Sequence, residues 1–396
     1  MRERTGASAS VLSLGPAWLL LLSLAGCSLQ GPGVLRTSRM AYNEAVQESE
    51  QRELLLNLVR LRYAEAPEFL AVSSISTQMR FDAGAAVGVE ASEGGPGRLT
   101  SGANVGYSES PTVTFVPRRD EAFTRQLVAP VELETLFLLT RSGWGLDRVL
   151  LLIADQMNGL SNRVTREAQG DDTTALQRFR EATALLRRLE IEGLVRVEAR
   201  PRRVPVSEAI ASDRIGVSDH LAAAREGLRL EERVEGGVTL VDEQTHFVLR
   251  FSKATWRRDE VTRLARSLGL EPGLPSYEID IGSTEKEAGA LLLTTRSVLG
   301  VLAYLSHAVA VPDEDADRVS RTPSDETVHE ILDIRVASQP VEDAFLSVPH
   351  RGRWFYIDDR DLESKRTLGL LTSLLRLSLG AGGAQNVPLL TLPVSF

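Results

Sequence analysis

The chain has 396 residues, a formal net charge of −9 and one cysteine. Its content of 43% apolar and 25% charged residues is ordinary for a globular protein, and a single cysteine cannot form an internal disulfide. An acidic balance without a basic cluster argues against a nucleic-acid partner and against electrostatic attachment to anionic lipid.

The first 26 residues have the features of a secretory signal peptide. A short start with two arginines precedes the apolar segment 17–24, which is much shorter than the ~20 residues that span a bilayer. This segment ends in Leu24-Ala25-Gly26-Cys27, which resembles the lipobox of bacterial lipoproteins. The resemblance implies cleavage before Cys27 and acylation of Cys27, which gives a stable membrane anchor. The alternative is an ordinary signal peptide followed by an incidental cysteine.

The residues after Cys27 bear on which membrane holds the protein and on how it is attached. Residue 28 is Ser and not the Asp that usually retains a Gram-negative lipoprotein in the inner membrane. By the same resemblance, we expect lipid anchoring at the outer membrane, with the protein facing the periplasm. Residues 27–40 are rich in Gly, Ser, Pro and Arg and predict a flexible tether.

The rest of the chain is predicted to be α+β, in two regions. Residues 41–195 predict helices interrupted by a long hairpin at about 73–117, and residues 196–396 mix short strands with helices. Strands and helices do not alternate as βαβ units, which favours α+β over α/β.

Apolar spacing and capping residues place the remaining elements. The predicted helices of the first region are 42–63, a block from the N-cap Asp120 to Gly143, 146–157 and 176–193. In the second region we predict a hairpin from 238–241 and 247–251, a helix at 259–269, the most apolar helix at 286–310, a last helix at 364–379, and strands at 277–281, 332–337, 345–348, 354–357 and 389–394.

The segment 73–117 is the most unusual feature of the sequence. Apolar and polar residues alternate with period two over 73–91, which is typical of a strand with unlike faces. Turn residues follow at 93–97, and residues 102–117 alternate in the same way. Folding about Pro96 pairs odd positions with odd positions, so both strands place mildly apolar side chains on one face.

A two-stranded ribbon of this length is not stable alone in water, so it must meet its own body, another subunit or lipid. Packing on its own domain is one interpretation. The other is an oligomeric outer-membrane pore to which each subunit donates a hairpin, since such strands need only about ten alternating residues flanked by aromatics. Phe81, Tyr107 and Phe115 fit that requirement. We therefore expect two kinds of partner, the membrane through Cys27 and a protein or second copy through 73–117.

The sequence contains no P-loop, no G-x-S-x-G and no G-x-G-x-x-G. His329-Glu330 begins like the zinc motif H-E-x-x-H, but position 333 is Asp, so the second ligand is missing. We expect no metal and no cofactor.

The acidic run 358–363 lies where a helix is predicted to begin, and carboxylates there cap free amides. A polar site is the alternative interpretation. Its candidate residues are Asp358, Asp359 and His350, and they would have to converge within hydrogen-bond reach to serve a hydrolase.

The chain after Cys27 also resembles bacterial lipoproteins of unassigned function, in the segments 57–63, 67–70, 110–114 and 354–365. This resemblance implies no activity and no catalytic residue. We therefore expect a lipid-anchored, non-enzymatic scaffold or assembly component of the cell envelope. The alternatives are a subunit of an oligomeric pore and a periplasmic hydrolase.

Overall fold

The computed structural model describes residues 31–90, 98–163, 170–233, 236–253, 258–282, 289–319 and 328–380. The predicted signal peptide, Cys27, the predicted turn 93–97 and the predicted strand 389–394 lie outside the described residues. Helices and antiparallel strands combine without regular βαβ alternation, which confirms the α+β class.

The described part begins with a long helix, α1 (Gly31–Arg62). The segment 27–40, predicted as a flexible tether, is therefore helical from residue 31 onward. Pro32 is compatible with this start, because the N–H that proline lacks has no intrahelical partner in the first turn. The last turns of α1 are buried, with Leu55 and Leu58 fully covered.

Two long antiparallel strands follow, β1 (Leu70–Glu90) and β2 (Arg98–Pro117). Pairs such as Phe81 with Tyr107 join odd positions to odd positions along most of the hairpin, as predicted. The pairing is centred two residues before Pro96. Because this shift is an even number of residues, it preserves the predicted odd-to-odd pairing.

Helices α2 to α5 come next. They are α2 (Glu121–Val128), α3 (Leu133–Arg141), α4 (Leu146–Ile153) and α5 (Gly170–Ile191). The predicted N-cap is confirmed, because Phe123 N donates a 2.8 Å hydrogen bond to Oδ1 of Asp120. Helix α4 ends before Met157, and the residues predicted to continue it form a strand instead.

Seven strands form the central sheet: β3 (Ala154–Met157), β4 (Leu160–Ser161), β5 (Val195–Pro205), β6 (Leu228–Glu232), β7 (Val238–Phe251), β8 (Ser276–Ile281) and β9 (Ala290–Thr295). Their order is β4-β3-β9-β8-β7-β5, and β6 pairs with β7 beside β8. Only the pair β8–β9 is parallel among these described strands. The helices of this part of the chain are α6 (Val217–Arg225), α7 (Asp259–Ser267) and α8 (Val298–Ser306).

Strand β7 corrects one prediction, because it is continuous where the sequence suggested a hairpin. The polar stretch 242–246 resembles a turn, yet it stays in the ladder with β5, where Arg200 pairs with His246. Most of these polar residues lie on an exposed part of the sheet, which tolerates them.

Strand β9 corrects a second prediction, the apolar helix at 286–310. Residues 290–295 form a strand between β3 and β8, and the helix begins only at Val298. Residues 290–293 are all apolar, and periodicity alone cannot distinguish such a continuous apolar run from a helix.

A smaller sheet and a last helix complete the fold as predicted. The sheet has the order β10-β12-β11 and comprises β10 (Arg335–Ala337), β11 (Ala344–His350) and β12 (Arg353–Asp358). Helix α9 (Leu362–Gly380) follows it. One hydrophobic core includes residues from both sides of position 195, and β3 of the first region pairs with β9 of the second. The two regions therefore share one sheet and one core.

A buried arginine lies at the centre of this arrangement. Arg296 is 8% exposed and follows β9 directly. Its Nη1 donates to the carbonyl oxygens of Leu151, Leu152 and Ala154 at 2.7–3.3 Å, and its Nη2 donates to that of Asn162. The guanidinium also lies 4.0 Å from the Tyr304 ring centroid. Burial lowers the pKa of Arg296, and Tyr304 and Asp155 act in the opposite direction.

We predict that Arg296→Met lowers the free energy of unfolding by roughly 3–5 kcal/mol, because four backbone carbonyls lose the charged hydrogen-bond donor that they share. Urea unfolding followed by circular dichroism measures this. The matched control is Arg125→Met, which removes an exposed pair with Glu121 and should cost about 0.5 kcal/mol or less. A loss below about 1 kcal/mol for Arg296→Met would show that this contact is not central to the body.

Candidate functional site

The acidic residues that follow β12 form local hydrogen bonds and ion pairs. Asp358 accepts from Arg335 Nη1 at 3.0 Å and from Arg360 N at 2.9 Å, and Asp359 pairs with Lys365. Asp361 accepts the amides of residues 363 and 364, both at 3.1 Å, and so caps α9. Capping and ion pairing therefore account for this run.

His350 lies elsewhere. It ends β11 and pairs with Arg353, whereas Asp358 lies at the opposite end of β12. Five residues of strand separate these two ends, on the order of 17 Å. The structure therefore does not bring Asp358 and Asp359 together with His350, and the convergence that the hydrolase required is absent among these three residues.

His350 belongs instead to a polar cluster that joins the end of α1 to the β11–β12 turn. Its Nε2 lies 3.4 Å from Oε2 of Glu65, and its ring lies 5.7 Å from that of Tyr63. Burial lowers the pKa of His350. Burial also opposes ionisation of Glu65, but the hydrogen bonds from Arg351 outweigh it and hold the pKa of Glu65 below its usual value.

The same cluster continues inward. The Tyr63 hydroxyl donates a buried 2.9 Å hydrogen bond to Oδ2 of Asp315, and burial together with this bond raises the pKa of Tyr63 to about 12. These contacts cross-link distant parts of the chain, so we interpret the cluster as structural. Within the described ranges, no group of three His, Cys, Asp or Glu residues is placed to hold a metal ion.

The hairpin root, where residues 69–70 and 117–118 leave the body, is the stronger candidate. The Asn57 side chain accepts from Glu68 N at 3.0 Å and donates to Glu68 O at 2.7 Å, which fixes the connection between α1 and β1. The Glu53 carboxylate accepts from Leu70 N at 3.1 Å. Helix α1 thus positions the first strand through two side chains.

Arg118 positions the second strand. Its backbone N donates to Phe69 O at 2.9 Å, and its Nη2 donates to Leu379 O at the end of α9 at 3.2 Å. Its guanidinium lies 4.7 Å from the Phe123 ring centroid, and that ring packs edge-on against Phe69. Helices α1, α2 and α9 therefore hold the root together.

Beyond the root the hairpin has few neighbours. Apart from each other, neither β1 nor β2 packs extensively on another described element. Val113, Phe115 and Val116 near the root are 38–49% exposed. The interpretation that the hairpin lies on its own body is therefore not what the described residues show.

The root borders a groove of about 230 Å³, which we call the root groove. It is lined by Glu50, Glu53, Leu54, Phe69, Leu70, Arg118, Thr372, Leu375, Arg376 and Leu379. Burial in this setting raises the pKa of Glu53 to about 7, although the hydrogen bond from Leu70 N acts in the opposite direction.

One signal in the sequence points to this site. Two of the segments that carry the lipoprotein resemblance, 57–63 and 67–70, meet here through the bonds between Asn57 and Glu68. Glu53 and Arg118 carried no such signal, because their partners lie far away along the chain.

No protein family, no curated protein and no solved structure matches this chain. Among the described helices, none is both long enough and apolar enough to cross a membrane.

We predict that Glu53→Gln makes stability less dependent on pH. Folded Glu53 keeps its proton up to about pH 7, whereas a glutamate exposed in the unfolded chain has a pKa of 4.5. The stability that goes with the protonated form is therefore present below pH 4.5 and lost as pH rises through 7. Gln stays neutral, so the variant should unfold at higher urea concentration than the natural protein at pH 8 and at a similar one at pH 4.5.

The control is Glu48→Gln on the same helix, which removes an exposed pair with Arg52 and leaves in place the groups that shift the pKa of Glu53, so it should keep the pH profile of the natural protein. Parallel pH profiles for the natural protein and Glu53→Gln would contradict the prediction.

Proposed function

We propose that this protein is a lipid-anchored component of the bacterial cell envelope, held at the outer membrane through Cys27. Its role is that of a non-enzymatic scaffold or assembly component, and the hairpin is the element that engages its partner. The observation that carries the proposal is a hairpin of 21- and 20-residue strands with few contacts to the other elements that the structure describes.

The physical argument rests on the strand edges. In a two-stranded ribbon each strand has one edge of N–H and C=O groups that the other strand does not satisfy. Strands of about 20 residues extend roughly 65 Å, far beyond the usual five or six residues. Such edges favour pairing with a strand of another molecule, which supplies main-chain hydrogen bonds along its length.

Helix α1 supports the anchoring geometry. Its described side chains from Met40 to Glu50 are mostly exposed, and its buried residues begin at Leu54. The first 20 residues of the helix rise on the order of 30 Å. With a lipid on Cys27, four residues before Gly31, such a helix would space the body away from the membrane surface.

The alternative is an oligomeric pore to which each copy donates its hairpin. The hairpin length favours it, because outer-membrane strands need only about ten residues to cross the bilayer. In both cases the hairpin pairs with another strand, and they differ in whether that strand lies in lipid.

We predict that Cys27→Ser moves the protein from the membrane fraction to the soluble fraction and abolishes labelling by a fatty-acid analogue, because the acyl chains provide the anchor. Cell fractionation and labelling measure this. The control is Ser28→Ala, which keeps the cysteine and should remain membrane-bound. Unchanged membrane fractionation of Cys27→Ser would contradict lipid anchoring.

We predict that shortening the hairpin abolishes assembly and leaves the body folded. Residues 82–106 are replaced by Asn-Gly, which joins the paired Phe81 and Tyr107 through a two-residue turn. Cross-linking in membranes and size analysis in detergent should show a smaller species, and the unfolding midpoint should stay unchanged.

The pore alternative has its own readout. Natural protein that conducts ions in planar bilayers, with a conductance altered by Gly84→Glu, would favour the pore. Assembly without conductance would favour the scaffold. Identical assembly of natural and shortened protein would contradict both.

A further inference from the structure

The end of α9 is bordered by unfilled space on two sides. On one side lies the root groove, whose apolar wall is formed by Leu54, Phe69, Leu375 and Leu379. On the other side lies a recess of about 180 Å³, which we call the mixed recess because polar residues such as Gln126, Glu132 and Ser378 line it together with apolar ones such as Val131, Val298 and Leu377. The chain leaves α9 at Gly380, directly after Leu379 of the root groove.

The residues that follow have the composition to fill an apolar groove. Residues 387–394 read Val-Pro-Leu-Leu-Thr-Leu-Pro-Val, in which every residue except Thr391 is apolar or proline. The link 381–386 (Ala-Gly-Gly-Ala-Gln-Asn) spans at most about 20 Å. That reach suffices for the segment to return across a groove lined by the last turn of the preceding helix.

We propose that residues 387–394 of this chain occupy the root groove. The choice between the two recesses follows from chemistry, because the root groove offers more apolar surface than the mixed recess and leucine and valine side chains therefore gain more from it. Pro388 and Pro393 have no N–H donor, so this segment is poorly suited to extend the hairpin as a third strand.

Occupation has a consequence for the hairpin. The rim of the root groove contains Leu70, the first residue of β1, which is 45% exposed in the described residues. A segment across this rim would cover Leu70 and withdraw Glu53 further from water. It would thereby connect the chain after α9 to the base of the hairpin. This inference does not depend on lipid anchoring or on assembly.

Cysteine accessibility tests the proposal in the full chain. Leu70→Cys is introduced with Cys27→Ser, so that residue 70 is the only thiol, and its rate of maleimide labelling is measured. Replacing Leu389, Leu390 and Leu392 together by Ser should raise this rate about tenfold, because the cover is lost and labelling no longer waits for local opening. A control thiol at Ile191, which is 70% exposed at the end of α5, should label at one rate in both chains.

Three outcomes would overturn the proposal. The first is an equal labelling rate of residue 70 with and without the triple Ser substitution. The second is protection of residue 70 that increases with protein concentration and is the same with and without the triple Ser substitution, which would identify a second copy as the occupant. The third is protection of Leu377→Cys in the mixed recess, with none at residue 70. Circular dichroism of each variant separates these results from misfolding.

Discussion

The buried guanidinium of Arg296 is the contact on which the other arrangements depend. Four backbone carbonyls converge on it, which fixes the junction of α4 with β3 relative to the start of α8. Helix α8 then packs against α1, and α1 positions the hairpin through Asn57 and Glu53. A charged group buried among carbonyls is restrictive, because any displacement leaves polar atoms without partners. The hairpin thus leaves the body from a strictly defined base.

The body and the hairpin differ in what stabilises them. The body has a continuous hydrophobic core with many fully buried side chains. The hairpin, beyond its root, has its own ladder of main-chain hydrogen bonds and little packing on other described elements. Elements of this second kind open at low free energy and commonly carry binding functions. This division agrees with a role in which a stable body presents a strand pair to a partner.

The sequence predicted those features that depend on neighbouring residues. The cap at Asp120, the final helix and the odd-to-odd pairing of the hairpin follow from local pattern. Strand β9 was mistaken for helix because residues 290–293 are apolar on both faces, which removes the alternation that marks a strand. The contact of Glu65 with Arg351 joins residues far apart in the chain, and no periodic pattern announces such a pair. For the same reason, the sequence indicated His350 as a candidate for a polar site but could not show that it lies far from Asp358.

The bulge between Val72 and Ser74 has a consequence for how this protein can diverge. Between the bulge and the root, even-numbered residues pair with odd-numbered ones, as in Leu70 with Pro117. Between the bulge and the tip, even-numbered residues pair with even-numbered ones and odd with odd. A single residue inserted farther along one strand would reverse the side-chain direction of the residues beyond it, so those residues would exchange faces. Viable relatives should therefore vary in hairpin length by balanced pairs of residues near the tip. Unpaired insertions should be tolerated mainly at the bulge, where the ladder already accommodates one extra residue.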